Sequence, residues 1–340
     1  MPAPSSLTAR QAVGLQTAKG TFATTFTAGV LRRSTLSPRF NYMEPIAEHF
    51  GGTNTRATMR KSASDRPTFL MQWGGRQRLK PNFLGYLLRG AGFGSNVTGA
   101  APALTHAFTI ANRENAAWLS VMQQMGEGAG VIERKARDCR VSSITVNATR
   151  EDIDLTYDGL GLSEIESTGT ETTTVEPQVN ILPSTGSMSI QIASVAVTTK
   201  IMASTLTIAN PLSEDEVALH SAAYDDLPPT ALDISGTLSG IDFTEDVYKK
   251  LNWGGVAGLS PATATPVGVL TYTFESGSVI PTGSVPYALT VSVPVAELRM
   301  SEPVAEDDNL IRVDINWSML DTTATPITIT LVNGKTNYTS

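Results

Sequence analysis

The stretch ITVNATREDIDLTYDG, residues 144–159, restricts its own conformation more tightly than any other part of the chain. Ile144, Val146 and Ala148 alternate with polar residues, a charged corner follows, and Ile153, Leu155 and Tyr157 resume the alternation. A period of two belongs to a strand with one buried face, so the stretch reads as a hairpin. A related pattern returns at DNLIRVDINWSM, residues 308–319, with Ile311, Val313, Ile315 and Trp317 on one face and Arg312, Asp314 and Asn316 on the other. One hairpin design written twice predicts an internal repeat.

Sliding the sequence against itself extends the repeat. FLMQWGGRQRLKPNFLGYLLRGAGFG (69–94) falls on LDISGTLSGIDFTEDVYKKLNWGGVA (232–257) at a constant offset of 163, with Leu88 on Leu251 and Gly92 on Gly255. THAFT (105–109) then aligns with TYTFE (271–275), LSV (119–121) with LTV (289–291), and Ile153 with Ile311. Order is preserved, and each change of offset falls in a turn-rich stretch. The expected organisation is an N-terminal segment 1–30, a basic unit 31–161, a linker 162–187, an acidic unit 188–333 and a tail 334–340.

Each unit reads as strands around one short helix. The helices are expected at 81–90, opened by Pro81 and stopped at Gly90, and at 244–251, opened by Thr244 with Glu245 and Asp246 in the first turn. Elsewhere Thr, Val and Ile dominate and Gly and Pro punctuate, as in SMSIQIASVAVTTKI. AAWLSVMQQM (116–125) fits a helical face as well, but its counterpart YALTVSVPV has Pro286 before it and Pro294 near its end, so both are read as strands. The linker, LSEIESTGTETTTVEPQ, has no apolar period. The fold class is therefore mainly β, two β-sandwich domains in tandem, each flanked by one short α-helix.

Charge is divided unevenly. Residues 1–150 hold 19 Lys and Arg against 7 Asp and Glu, a balance of +12, and the remainder holds 6 against 25, a balance of −19. The basic charges are dispersed among turns without the aromatic interleaving of a single-strand platform. Two readings stay open, a bipolar molecule that binds copies of itself and ordinary dispersed surface charge. Cys139 is the only cysteine, so no intrachain disulfide is available, and three scattered His give no zinc-type spacing. Residues 1–20 lack an apolar h-region and no run approaches a membrane span, so neither a secretory signal nor a membrane anchor is expected.

Three features together resemble the major tail tube proteins of long-tailed, non-contractile bacteriophages. They are the GLQTAKGTFATTF opening, a strand and short helix ending in a Gly-rich turn (QWGGRQRLKPNFLGYLLRGAGFG and SGTLSGIDFTEDVYKKLNWGGVAG), and the closing hairpin SSITVNATREDIDLTYDGLG with its later relative. The resemblance implies a sandwich flanked by a helix and assembled into stacked rings, whose inner strands close a barrel that DNA crosses without being read. Most such proteins carry one tube domain and form hexamers. This chain carries two, which implies three chains per ring. The resemblance further implies a virion tail location after synthesis in the host cytoplasm, no catalysis, cofactor or metal, and partners that include other copies and the tape-measure, tail-tip and tail-terminator proteins.

Family members use long loops ahead of the helix strand to grip the next ring. Here GGTNTRATMRKSASDR (51–66) carries Arg56, Arg60, Lys61 and Arg66, whereas NPLSEDEVALHSAAYDDLPP (210–229) carries Glu214, Asp215, Glu216, Asp225 and Asp226 without a Lys or Arg. The expectation is that both loops are mobile in the monomer and order on stacking; the alternative is solvated loops that never touch. A lumen that lets DNA pass should be neutral or acidic, because a basic wall holds phosphate through counterion release. Asp152, Asp154, Glu302 and Asp314 are the lumen candidates.

Nothing else carries chemistry. EPIAEHF (44–50) lacks the paired-His spacing of a zinc helix, GAGFGS follows a helix and GEGAGV misses the glycine spacing of a phosphate-cradling turn, so both read as flexible connections, and EDDN at a hairpin corner reads as solvated acids. No nucleophile, base and acid fall into one motif. The rival reading is a tandem sandwich that binds carbohydrate or a cell surface, which would remain monomeric and expose aromatics on one face.

Overall fold

A computed structural model describes residues 10–30, 33–41, 68–125, 132–165, 171–175, 179, 181–192, 195–196, 201–215, 224–253, 265–281, 283–303 and 311–338. The first half contains β1 (Arg10–Leu15), β2 (Thr25–Val30), β3 (Arg33–Asn41), β4 (Thr68–Arg78), α1 (Phe83–Gly90), β5 (Phe93–Ala100), β6 (Ala103–Ile110), β7 (Leu119–Met125), β8 (Ile132–Ala148) and β9 (Ile153–Glu164). The second contains β10 (Thr172–Val175), β11 (Ile181–Ile192), β12 (Val195–Ala196), β13 (Ala203–Ala209), β14 (Asp233–Asp242), α2 (Glu245–Asn252), β15 (Val267–Val279), β16 (Pro286–Met300), β17 (Arg312–Met319) and β18 (Thr328–Asn333). The fold is mainly β with two short helices, as the alternation requires.

The strand neighbours repeat. In the first half the order is β2-β1-β7-β8-β9-β4-β3. In the second it is β12-β11-β15-β16-β17-β14-β13. Register repeats as well. Trp73 faces Gly159, Gly74 faces Asp158 and Gly75 faces Tyr157, while Gly236 faces Trp317, Thr237 faces Asn316 and Leu238 faces Ile315. These correspondences keep the 163 offset of the helix strands and match Ile153 to Ile311 in the hairpins. The first half breaks register between Leu119 and Val121 on β7, and the second breaks it at the corresponding place, between Gly268 and Leu270 on β15.

That break corrects the middle of the sequence alignment. Residues 119–121 take the place of 268–270, not of 289–291, and THAFT lies in the β5–β6 hairpin, for which the described residues of the second half hold no counterpart. Short apolar alternations resemble one another too closely for sequence to distinguish adjacent strands.

Each half sets one Trp opposite one Gly, on exchanged strands. A Cβ on Gly159 would lie 2.5 Å from Trp73 Cε2, and one on Gly236 would lie 2.8 Å from Trp317 Cε2. The indole fills the space that the missing side chain leaves, and both Trp side chains are buried.

The helices follow their local chemistry. Thr244 caps α2, its hydroxyl accepting from Val247 N at 3.3 Å, and Glu245 and Asp246 pair with Lys249 and Lys250 one turn on. Helix α1 begins two residues after Pro81 with no side-chain cap, and seven of its eight residues are buried. Leu84 and Leu88 reach the core formed by Ile144, Val146, Leu206 and Ile208, so one core cluster spans both halves. The apolar cavity between these side chains, about 10 Å³, has no room for a ligand.

Segments set apart in the sequence reading join the sheets. β1, from 1–30, pairs with β7 on one side and with β2 on the other, and β10, from the apparent linker, runs parallel to β2. The C-terminal tail sends Tyr338 against α1, its hydroxyl donating to Asn82 O and accepting from Asn333 Nδ2, both at 2.9 Å.

Candidate assembly interface

The junction between the halves is a strand pair. β13 lies antiparallel to the second part of β8, with Ser204 facing Ala148, Leu206 facing Val146 and Ile208 facing Ile144. The first part of β8 is paired by β7 along the same side, so β7 and β13 share one long strand. The result is a continuous sheet of eight antiparallel strands, β3-β4-β9-β8-β13-β14-β17-β16, with four from each half. A second bridge forms where β18 pairs with β16 on one side and β6 on the other.

The two faces of the eight-stranded sheet differ because side chains alternate. One face packs Trp73, Tyr157, Ile144, Leu206, Ile234 and Trp317 into the core. Burial, with the negative charge of Asp158 adding to it, raises the pKa of Tyr157 well above its ordinary value, and the hydroxyl donates to Gln11 Oε1 at 2.6 Å. Across the other face run rows of hydroxyls and amides. Thr156, Thr145, Thr207, Ser235 and Ser318 form one row, and Asp154, Asn147, Thr205, Thr237 and Asn316 form the next.

Charges on this face are matched locally. Arg76 holds Asp154 through Nη2 at 2.7 Å and Nε at 3.2 Å, Arg78 lies 3.6 Å from Asp152, and Arg299 lies 2.8 Å from Glu297. Three of the four lumen candidates therefore have local duties: Asp152 and Asp154 pair with arginines, and Asp314 accepts from Gly240 N at 2.9 Å. Glu302 is exposed beyond the end of β16. The polar face is thus near neutral, mostly hydroxyl and amide.

The loop candidates divide in two. Arg56, Arg60, Lys61, Arg66 and Glu216 lie outside the described residues. Three of the four described acidic residues sit against the basic half of their own chain. Glu214 pairs with Arg39 of β3 at 2.8 Å, Asp226 lies 4.0 Å from Arg140, and Lys19 donates to the Asp225 carbonyl. Asp215 is exposed and accepts from Ser213 Oγ at 3.1 Å. Arg140 is buried, donates to Leu227 O and Glu114 O at 2.9 Å, and stacks 4.1 Å above Trp118. Tyr224 and Leu227 pack with Leu70, Leu160 and Leu162. Basic and acidic halves thus meet within one chain, by apolar burial bordered by ion pairs.

The sequence profile of the phage tail tube protein family matches residues 3–319. The chain belongs to that family. No curated protein sequence matches it. Membership gives the protein a structural role in the phage tail tube and places it in the virion tail. No helix among the described residues is long and apolar enough to cross a membrane.

Sequence reasoning missed several parts of this tail tube protein's junction. Ser34-Thr35-Leu36-Ser37 in β3 and Ser204-Thr205-Leu206-Thr207 in β13 are nearly identical and occupy matching places, Leu36 facing Trp73 and Leu206 facing Gly236. The match is four residues long, and it becomes visible only once the sheet order is known. Gln11, Gln123 and Arg134 were missed too. They donate to Thr35 O (3.1 Å), Ser34 O (3.3 Å) and Leu36 O (2.7 Å), closing one end of the first sandwich.

Proposed function

We propose that three copies of the chain close into a ring and that the rings stack into the hollow tube through which phage DNA passes. In this reading the two halves are duplicated tube units around 31–161 and 188–333, each extended by its leading strands β1 and β11. The observation that carries it is the continuous eight-stranded sheet with one polar face. Three such sheets supply 24 strands. At about 4.8 Å per strand and a tilt of about 40°, they close a barrel roughly 50 Å across between backbones, wide enough for duplex DNA.

The polar face then lines the lumen. Its arginines are paired with carboxylates, so a passing phosphate meets few free cations and the wall does not retain DNA. Contact loops 51–66 and 210–229 join successive rings, and tape-measure, tail-tip and tail-terminator proteins are the other partners. The rival binding module needs exposed aromatics, whereas the exposed large hydrophobics among the described residues are Val, Met and Ile. Negative-stain microscopy of the concentrated protein tests the proposal. Hollow filaments built from rings of three chains are expected, and persistent monomers at high concentration would refute it.

A further inference from the structure

The ring reading leaves open which surfaces join one chain to the next, and the internal junction answers this. Within the chain, β13 docks on β8. By the repeated strand order, β3 holds the place of β13 and the end of β16 holds that of β8. Among the described residues β3 pairs only with β4, and residues 299–303 have a strand neighbour only on the β17 side. Among the described residues the chain therefore presents one open edge of each kind.

Resting on the proposed ring, we infer that β3 of one tail tube protein pairs with residues 299–303 of a second copy, in the register of the internal junction. Ile144 and Met300 both face corresponding hairpin residues, Tyr157 and Ile315, so residues 143–147 match 299–303. Leu36 then faces Glu302, Ser37 faces Ser301 and Pro38 faces Met300 of the second copy. In the internal junction Asn210 N donates to Ser142 O at 2.8 Å. Ladder alternation then turns the backbone of Ser204, Leu206 and Ile208 toward β8, and that of Ser34, Leu36 and Pro38 toward the second copy. Pro38 lacks a donor, so this seam has one hydrogen bond fewer than its template. Pro303 falls where the missing N–H points away from the second copy.

The side chains behind the two edges support this assignment. Gln123 and Arg134 donate to the outward carbonyls of Ser34 and Leu36, whereas Tyr272 and Val291, both apolar in body, stand at the corresponding positions behind the strand-paired β13. An edge already covered by a strand needs no such donors. The open edge of β3 has removable ones, which satisfy its carbonyls and restrain indiscriminate pairing until a second copy arrives. Charge permits the approach, because Arg39 and Arg299, which would face each other, are held by Glu214 and Glu297.

Cysteine pairs test the inference. Ser37 and Ser301 would form a non-hydrogen-bonded pair with Cα atoms about 4.5 Å apart, within disulfide reach. Oxidised Ser37→Cys/Ser301→Cys protein should give covalent dimers and trimers, and Thr145→Cys/Thr207→Cys, the matching internal pair, should give an intrachain bond without a change of mass. Tubes from the wild type with no interchain bond, while the internal control closes, would overturn the seam and leave the tube. Absence of any assembly by the wild type would overturn both. As a second variant, Glu302→Pro removes an outward donor from an exposed residue. It should raise the concentration needed for assembly about tenfold with the thermal midpoint unchanged; an unaltered threshold would count against the seam.

Discussion

Tyr338 and Gly85 make a coupled pair whose behaviour can be worked out in advance. Tyr338 is fully buried, and its ring contacts His106, Tyr86 and Phe108 at centroid distances of 4.8, 5.3 and 5.5 Å. Truncating a buried large aromatic costs about 3–5 kcal/mol, so Tyr338→Ala should fall in that range. Tyr338→Phe keeps the ring but removes the donor to Asn82 O, at a cost of about 1–2 kcal/mol. A Cβ on Gly85 would lie 2.3 Å from Tyr338 Cζ, so Gly85→Ala should destabilise the wild type by about 1–3 kcal/mol through overpacking. In the Tyr338→Ala background the obstruction is gone, and the helix preference for Ala over Gly should make the same change stabilising by about 0.5–1 kcal/mol. Urea unfolding followed by circular dichroism, below the assembly concentration so that mass action does not intrude, measures the four variants against the wild type. If Gly85→Ala has the same sign in both backgrounds, the proposed steric coupling is wrong.

Four further outcomes are expected. His106 is buried with Nε2 donating to Lys335 O at 2.8 Å, and burial lowers its pKa below 6.5. The unfolded chain then binds the proton more readily, so this group's contribution is complete above about pH 6.5 and is lost as pH falls through the folded pKa; midpoints measured between about pH 7.5 and 5 should drop less in His106→Gln. Gly159→Ala and Gly236→Ala should each destabilise by about 1–3 kcal/mol, since the new Cβ would meet backbone oxygens at 2.3 Å (Arg140) and 2.0 Å (Thr205), and a neutral result in urea would contradict that packing. Burial pushes the Cys139 thiol well above its ordinary pKa, so it should resist aromatic disulfide reagents until urea unfolds the protein. Changing Arg56, Arg60 and Lys61 together to Glu should suppress tube growth in light scattering, and unchanged growth would remove the basic loop from ring stacking.

Alternation made the β class and both hairpins legible, because one buried face leaves a period of two that only a strand can satisfy. Helix α2 was legible from Thr244 and its acidic first turn, whose cap and ion pairs the structure contains. The strand at 172–175 was not. Thr172 to Val175 have no buried face, and the segment is held by backbone pairing to β2, which side-chain patterning does not record. The lumen candidates were chosen by charge alone. Asp154 shows the limit of that criterion, since what it presents to a passing anion depends on Arg76, which lies 78 residues earlier in sequence and across a strand in space. The junction itself was the least legible part, because a strand edge is made of backbone groups that every residue except proline shares.

The charge division acquires a specific meaning once the edges are known. The ion pairs bordering the internal junction are individually weak: Arg39 is partly exposed beside Glu214, and exposed pairs contribute about 0–1 kcal/mol. Strand pairing and the shared apolar core hold the halves together. In the proposed ring, however, every basic unit has an acidic unit on both sides, and a chain approaching with its order reversed would bring like charges together. The open edges impose the same rule, since β3 exists only in the basic half and residues 299–303 only in the acidic half. Two independent features, one steric and one electrostatic, thus forbid the same wrong arrangement, and a heterologous contact so restricted can only close by rotation or continue without end. In the proposed ring, closure at three chains would be set by the angle at which the two halves of the eight-stranded sheet meet across β8 and β13. A variant that bends the β8–β13 junction differently should therefore change the number of chains in the ring before it abolishes assembly.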